Sequence, residues 1–204
     1  MTRKAAAHTS QYAEEKPSVN YVSLSKAMSK ALRHQPQRLG ITLAPDGSVS
    51  LDEFIGALNR RGGWPRAITK ADIMQVVEHG SKQRFAVEGG RIRARYGHSV
   101  PLAINYEPAN PPDVLDHGTS ERFLETIMAE GLLPMGRQVV HLSSDVETAQ
   151  QVGRRHGGRT VILTVDAARA AQDGIRFYRG NDSTWLADRI PACHLRKQDA
   201  RYLQ

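Results

Sequence analysis

Between Ser23 and His34 the apolar residues Leu24, Ala27, Met28, Ala31 and Leu32 recur at helical spacing, which predicts an amphipathic helix with one buried stripe. At about 100° per residue, Arg33 falls opposite that stripe and His34 on its flank, so neither is expected in the core. Pro36 disfavours helix at Gln35 and places the Arg33–His34 pair in the last turn. Unpaired carbonyls there carry partial negative charge, so dipole chemistry alone accounts for two cations; an anion site is the other explanation.

The pattern continues as short elements. "ITLAPDGSVS" holds a Pro-Asp-Gly turn between β-prone pieces. Ser50-Leu51-Asp52-Glu53 reads as a capping box, Phe54, Ile55 and Leu58 mark an inner face, and Gly62-Gly63 ends that helix. Thr69 to Asp72 is a weaker cap for a third helix, with Ile73, Val76 and Val77 inward and Gly80 as its stop. Phe85 and Val87 alternate with polar neighbours, Gly89-Gly90 turn the chain, and "RIRARY" alternates again, a hairpin signal. Three helices closed by a hairpin form a winged-helix pattern.

Pro101, Pro108, Pro111 and Pro112 then mark a linker over 100–113. Beyond it, "VLDHGT", "QVVHLS", "TVILTVD", "IRFYRG" and "STWLAD" read as strands. One helix is expected from a Ser120 cap to Glu130, with Phe123, Leu124 and Ile127 inward, and another from Ser144 with Glu147. The expected organisation is a polar, mobile tail (1–19), a winged-helix-like lobe (20–99), the linker (100–113) and a strand-rich second lobe (114–204). The fold class is α+β.

Composition narrows the partners. The 204 residues are 40% hydrophobic and 24% charged, enough for a packed core. Lys and Arg number 28 against 21 Asp and Glu, a net charge of +7, which favours a polyanionic partner. The single cysteine, Cys193, allows no intrachain disulfide and no cysteine-based zinc cage, and fits a reducing, cytoplasmic setting. No signal peptide is expected from the polar N-terminal stretch, and no run approaches the roughly 18 apolar residues of a membrane span.

Common catalytic signatures are missing: no dinucleotide-binding glycine pattern after a strand, no Walker loop, no His-Glu-x-x-His metal pair and no nucleophile elbow. Instead, basic residues cluster with histidines: Arg33-His34, Lys82-Gln83-Arg84, Arg91 to His98, then Arg137 and His141. Arginine offers a permanently charged planar fork for phosphate oxygens, and histidine moves a proton near neutral pH. That inventory suits binding and transforming phosphate without a metal.

The ordered pieces "LSKAMSKALRHQP", "GITLAPDGSVSLDEF", "KQRFAV", "IRARYGHS", "HGT", "GLLPMGRQVVHLS" and "DGIRFYRGN" resemble the KptA-type RNA 2'-phosphotransferases over roughly residues 22–195. The resemblance implies an enzyme that takes an internal 2'-phosphate off RNA at a splice junction and hands it to NAD+. It implies an ADP-ribosylated RNA phosphate between two steps, with nicotinamide, ADP-ribose cyclic phosphate and repaired RNA as products. It also implies an ADP-ribosyltransferase-like second lobe. The matched functional positions are Arg33, His34, Arg84 and Arg137, with Lys82 assisting at the RNA phosphate. NAD+ is expected at His117, Gly118, Thr119, His141 and Ser143. A monomer with RNA as partner and no metal is expected.

The sequence departs from the family pattern twice. Tyr96 stands where glutamine is common, and Asp182-Ser183-Thr184 replaces a shorter Asn-Gly turn. The first bears on contacts near the phosphate, the second on how NAD+ is covered. Ordinary roles stay open residue by residue: helix-end cations for Arg33 and His34, an edge charge for Arg84, a surface lysine for Lys82 and a turn residue for His117. His98 and Ser99 either support the site or cap the strand, and Arg137 in its glycine-rich loop is ambiguous. Two other functions also stay open, a winged-helix nucleic-acid-binding protein and an ADP-ribosyltransferase acting on nucleic-acid ends.

Overall fold

The computed structural model describes residues 18–80, 83–101 and 103–198. It is a mixed α+β structure with two antiparallel sheets.

The first half builds α1 (Tyr21–Arg33), β1 (Ser48–Ser50), α2 (Leu51–Arg61), α3 (Lys70–His79), β2 (Phe85–Glu88) and β3 (Arg91–Ala94). The three strands pair in the order β1-β3-β2, with Val49 opposite Ile92 and Phe85 opposite Ala94. Helix α1 starts two residues before the apolar pattern does, because Asn20 caps it by accepting from the Ser23 amide. The extra residues, Tyr21 and Val22, are exposed and carry no core periodicity. Leu24, Met28 and Leu32 of the predicted stripe are fully buried against Phe54, Leu58, Ile73 and Ile92, and Val19 joins this core.

The two predicted caps exchange strengths. Ser50 only accepts from the Glu53 amide, at 3.4 Å. Thr69 and Asp72 form the reciprocal box, and Arg66 binds Asp72 through two hydrogen bonds. This partner holds the Asp72 carboxyl well below the usual carboxylate range.

The second half builds β4 (Val114–Ser120), α4 (Leu124–Glu130), β5 (Val140–Ser143), α5 (Val146–Gly153), β6 (Thr160–Asp166), α6 (Ala167–Gln172), β7 (Phe177–Arg179), β8 (Thr184–Ala187) and β9 (Leu195–Lys197). The six strands pair in the order β7-β8-β5-β4-β6-β9. Leu115, Leu142, Leu163, Phe177 and Trp185 anchor its core. Ser120 does not cap α4, since a 3-10 turn over Glu121–Phe123 intervenes; Phe123 is exposed, and Leu124 and Ile127 are half-buried. Helix α5 is capped by Asp145, which accepts from the Thr148 amide at 2.7 Å, one residue after the expected Ser144. Helix α6 and strand β9 were not expected: "AARAAQ" has no apolar period, and "LRK" is too short for one.

Two local arrangements position the site. Helix α5 crosses β4 at Gly118, where an added Cβ would collide with the Ala149 carbonyl oxygen. The proline-rich segment lies against the second sheet. Gln138 accepts from the Ile104 amide and donates to the Val100 carbonyl, and Ala109 donates to Phe177. Among the described residues, no helix is long and apolar enough to cross a membrane.

Candidate active site

Helix α1 ends at Arg33, and the chain returns beside it through Tyr96-Gly97-His98-Ser99. Gly97 adopts a left-handed φ of +86°, and the Arg33 side chain lies in ordinary contact distance of where its Cβ would be. The Ser99 amide donates to the Arg33 carbonyl at 2.9 Å, satisfying one of the helix's unpaired acceptors. The Ser99 hydroxyl meets His34 Nδ1 at 2.8 Å. One serine thus caps the helix and orients the histidine.

The Arg33 guanidinium is not free in solvent. It lies over Phe85 (5.8 Å to the ring centroid) and Tyr96 (5.0 Å), with Nε and Nη2 buried and without hydrogen-bond partners. The helix phase was read correctly, but the far face of the last turn is covered by a second layer, the hairpin end. Burial lowers the Arg33 pKa, and the charges of Arg84 and Arg137 lower it further against the opposing effect of Tyr96. Three guanidiniums therefore share one field. Arg137, from the turn closed by its amide to Pro134, is lowered first by desolvation and then by Arg155. His34 is exposed, and its pKa is lowered by desolvation, Arg33 and Arg137 in that order.

Two histidines of the second sheet face the same charges. A carbonyl only accepts, so His117 Nδ1 donates to His141 O (3.0 Å) and His141 Nδ1 donates to Val139 O (3.1 Å). In the neutral ring each Nε2 is then an acceptor. His141 Nε2 is buried without a partner, and desolvation, then Arg137, takes its pKa down to about 3. His117 is lowered by the same leading cause. His98 is buried at 1% exposure and pairs with Tyr106 through Nδ1 at 2.9 Å.

The four expected catalytic residues, Arg33, His34, Arg84 and Arg137, come together with His117 and His141 as electrostatic neighbours. Lys82 lies outside the described residues. Thr119 and Ser143 are buried in the central strands β4 and β5. Gly118 has a packing reason of its own, the approach of α5.

Sequence reasoning missed how Tyr96 and the Asp182 loop belong together. The buried Asn181 amide donates to the Tyr96 hydroxyl at 3.0 Å, and Gln83 donates to Asp182 at 3.1 Å. Tyr96 also meets His141 edge-on, with ring centroids 6.0 Å apart. Tyr96 and the 181–182 loop thus meet across the two halves, Tyr96 through Asn181 and Asp182 through Gln83.

Comparison with known proteins places the chain among its relatives. Residues 19–189 match the family described as RNA 2'-phosphotransferase, Tpt1 / KptA family. A probable RNA 2'-phosphotransferase of Acetivibrio thermocellus is 44% identical over 178 residues, 87% of this chain and 97% of that protein. Proteins of the same name from Streptomyces coelicolor and Nostoc punctiforme are 46% and 45% identical, over 86% of this chain in both cases and over 94% and 96% of their own lengths. The chain belongs to the Tpt1 / KptA family of RNA 2'-phosphotransferases.

Proposed function

We propose that this protein removes an internal 2'-phosphate from RNA by transferring it to NAD+, by way of an ADP-ribosylated RNA phosphate. The observation that carries this is the convergence of Arg33, Arg84 and Arg137, with two buried Arg33 nitrogens lacking any protein partner. Buried donors are normally satisfied, and a phosphate bound there supplies the missing acceptors.

The order α1-β1-α2-α3-β2-β3 supports a winged-helix-like lobe for RNA, and the six-stranded antiparallel sheet supports an ADP-ribosyltransferase-like lobe for NAD+. The residues present fit NAD+. The orphaned His141 Nε2 is a buried acceptor suited to a ribose hydroxyl, beside cations suited to a pyrophosphate. When bound, NAD+ supplies the ribose carbon that accepts the phosphate and the hydroxyl that later attacks phosphorus.

The chain's own contribution is positioning and charge. The phosphate nucleophile is already an anion and needs no general base. Holding reactants in line can supply about 7–11 kcal/mol of barrier lowering. Guanidiniums fixed around the phosphorus stabilise the charge that develops in the second step. His34, oriented by Ser99, is placed to give the leaving RNA oxygen its proton.

The test is an RNA oligonucleotide with one internal 2'-phosphate, incubated with and without NAD+. The expected result is NAD+-dependent loss of the phosphate and release of ADP-ribose cyclic phosphate. An unchanged substrate overturns the proposal, and accumulation of ADP-ribosylated RNA as the end product points to an ADP-ribosyltransferase instead.

A further inference from the structure

A groove of about 760 Å3 runs between α1 and α3 and opens at His34 and Arg84. One wall is the row Val22, Lys26 and Lys30, each four residues from the last and therefore stacked along one helix face, continued by the C-cap residue His34. Ser25 and Ser29 stand beside this row and keep the α1 surface shallow. The other wall is Gln75 and His79 of α3. Among the described residues no carboxylate lines the groove, and α1 contains no acidic residue. Tyr21 and Val22 stand at its outer end, 41% and 66% exposed. Cations spaced along a channel, with an exposed aromatic at one end, match a single nucleic-acid strand: phosphates on lysines and a base against a ring.

We infer that this groove seats the RNA strand flanking the 2'-phosphate, with backbone phosphates on Lys26 and Lys30 and a flanking base against Tyr21. The inference rests on the proposed function, since it places the reacting phosphate at the His34–Arg84 end. A helix rises about 1.5 Å per residue, so the row from Val22 to His34 spans about 18 Å, several nucleotides of strand. The consequence is that affinity grows with the length of RNA flanking the 2'-phosphate.

The test compares two substrates, a dinucleotide carrying the 2'-phosphate and a longer oligonucleotide with several nucleotides on each side. The wild-type protein is expected to prefer the longer one through KM. In Lys26→Glu/Lys30→Glu that preference falls roughly tenfold, because two phosphate contacts become repulsive. In Lys26→Ala/Lys30→Ala the slope of log affinity against log salt for the long RNA drops by about 1.4, two contacts at about 0.7 each. Equal losses on both substrates, or an unchanged preference, overturn the groove. If the wild type turns over neither substrate, the proposed function fails separately. Binding of the same long oligonucleotide then still decides the groove: equal affinity in wild type and variants overturns it. Both lysines are exposed, so the variants are expected to melt like the wild type.

Discussion

The Arg33 guanidinium rests over the Tyr96 ring, 5.0 Å from its centroid, while the Tyr96 hydroxyl accepts from Asn181 on the far side of the site. Ring and hydroxyl therefore do separate work. Tyr96→Phe keeps the ring and leaves the buried Asn181 amide unpaired, at a cost of about 1–3 kcal/mol. Turnover is expected to stay within a few-fold of wild type. Tyr96→Leu removes the aromatic face, worth about 0.5–2 kcal/mol to the cation, and is expected to lower turnover roughly tenfold. Denaturant melts alongside kcat for both variants check this; equal activity in the two shows that the ring does not hold Arg33.

Arg33 itself sets stability against activity. Its buried, unpaired nitrogens cost free energy in the ligand-free protein, and Arg84 and Arg137 add like charge. Arg33→Met keeps much of the volume and removes the charge. Stability is expected to rise by about 1–2 kcal/mol, the relief of unsatisfied donors less the lost ring contact. Turnover is expected to fall at least 100-fold, the scale seen when one charge-stabilising donor is removed. A variant that is both less stable and near-normal in rate rejects this account.

His34→Ala is expected to depress kcat much more than KM, since in the proposed reaction the ring gives the proton while the arginines hold the phosphate. Ser99→Ala removes the hydroxyl at His34 Nδ1 but keeps the amide that caps α1, so it is expected to lower kcat without lowering stability by more than about 1 kcal/mol. A pH–rate profile for the two variants separates orientation from proton transfer. An unaltered profile in His34→Ala removes that histidine from the chemistry.

Stability is expected to depend on pH through two desolvated histidines, His98 and His141. Desolvation takes His98 to about 4 and His141 to about 3, from an ordinary value of 6.5. As pH falls below 6.5 the unfolded chain takes up protons that the folded chain refuses. The stabilisation is full above 6.5 and is lost on acidification, at about 1.4 kcal/mol per pH unit per histidine, until about pH 4 for His98. Urea unfolding at pH 7 and pH 5 measures it. His98→Gln is expected to flatten the slope by one histidine's share, and an unchanged slope contradicts the assignment.

Gly118→Ala is expected to cost at least about 3 kcal/mol, at or beyond the upper end of overpacking costs, because its Cβ meets backbone rather than a movable side chain. A melt within one degree of wild type shows that α5 can move aside.

Much of the first half was legible because its signals are local. The stripe of α1, the glycine turn of the hairpin and the caps each lie within a few residues. The four cationic candidates were legible through the resemblance. Their meeting was not, since it depends on contacts such as Ser99 with Arg33 that span 66 residues. Arg33 lies outside the core as its helix phase predicts, but the aromatic layer over it, Phe85 and Tyr96, comes from distant segments that helix phase does not see. Gly118 was read for its motif, whereas its packing reason lies in Ala149, 31 residues later. Helix α6 escaped because an alanine-rich turn has no apolar period to detect.

If the unpartnered nitrogens of Arg33 hold the RNA phosphate as proposed, small oxyanions satisfy the same donors. Sulfate or inorganic phosphate is then expected to raise the melting temperature and to compete with substrate by one and the same contact, so buffer composition becomes a variable of every activity measurement on this enzyme.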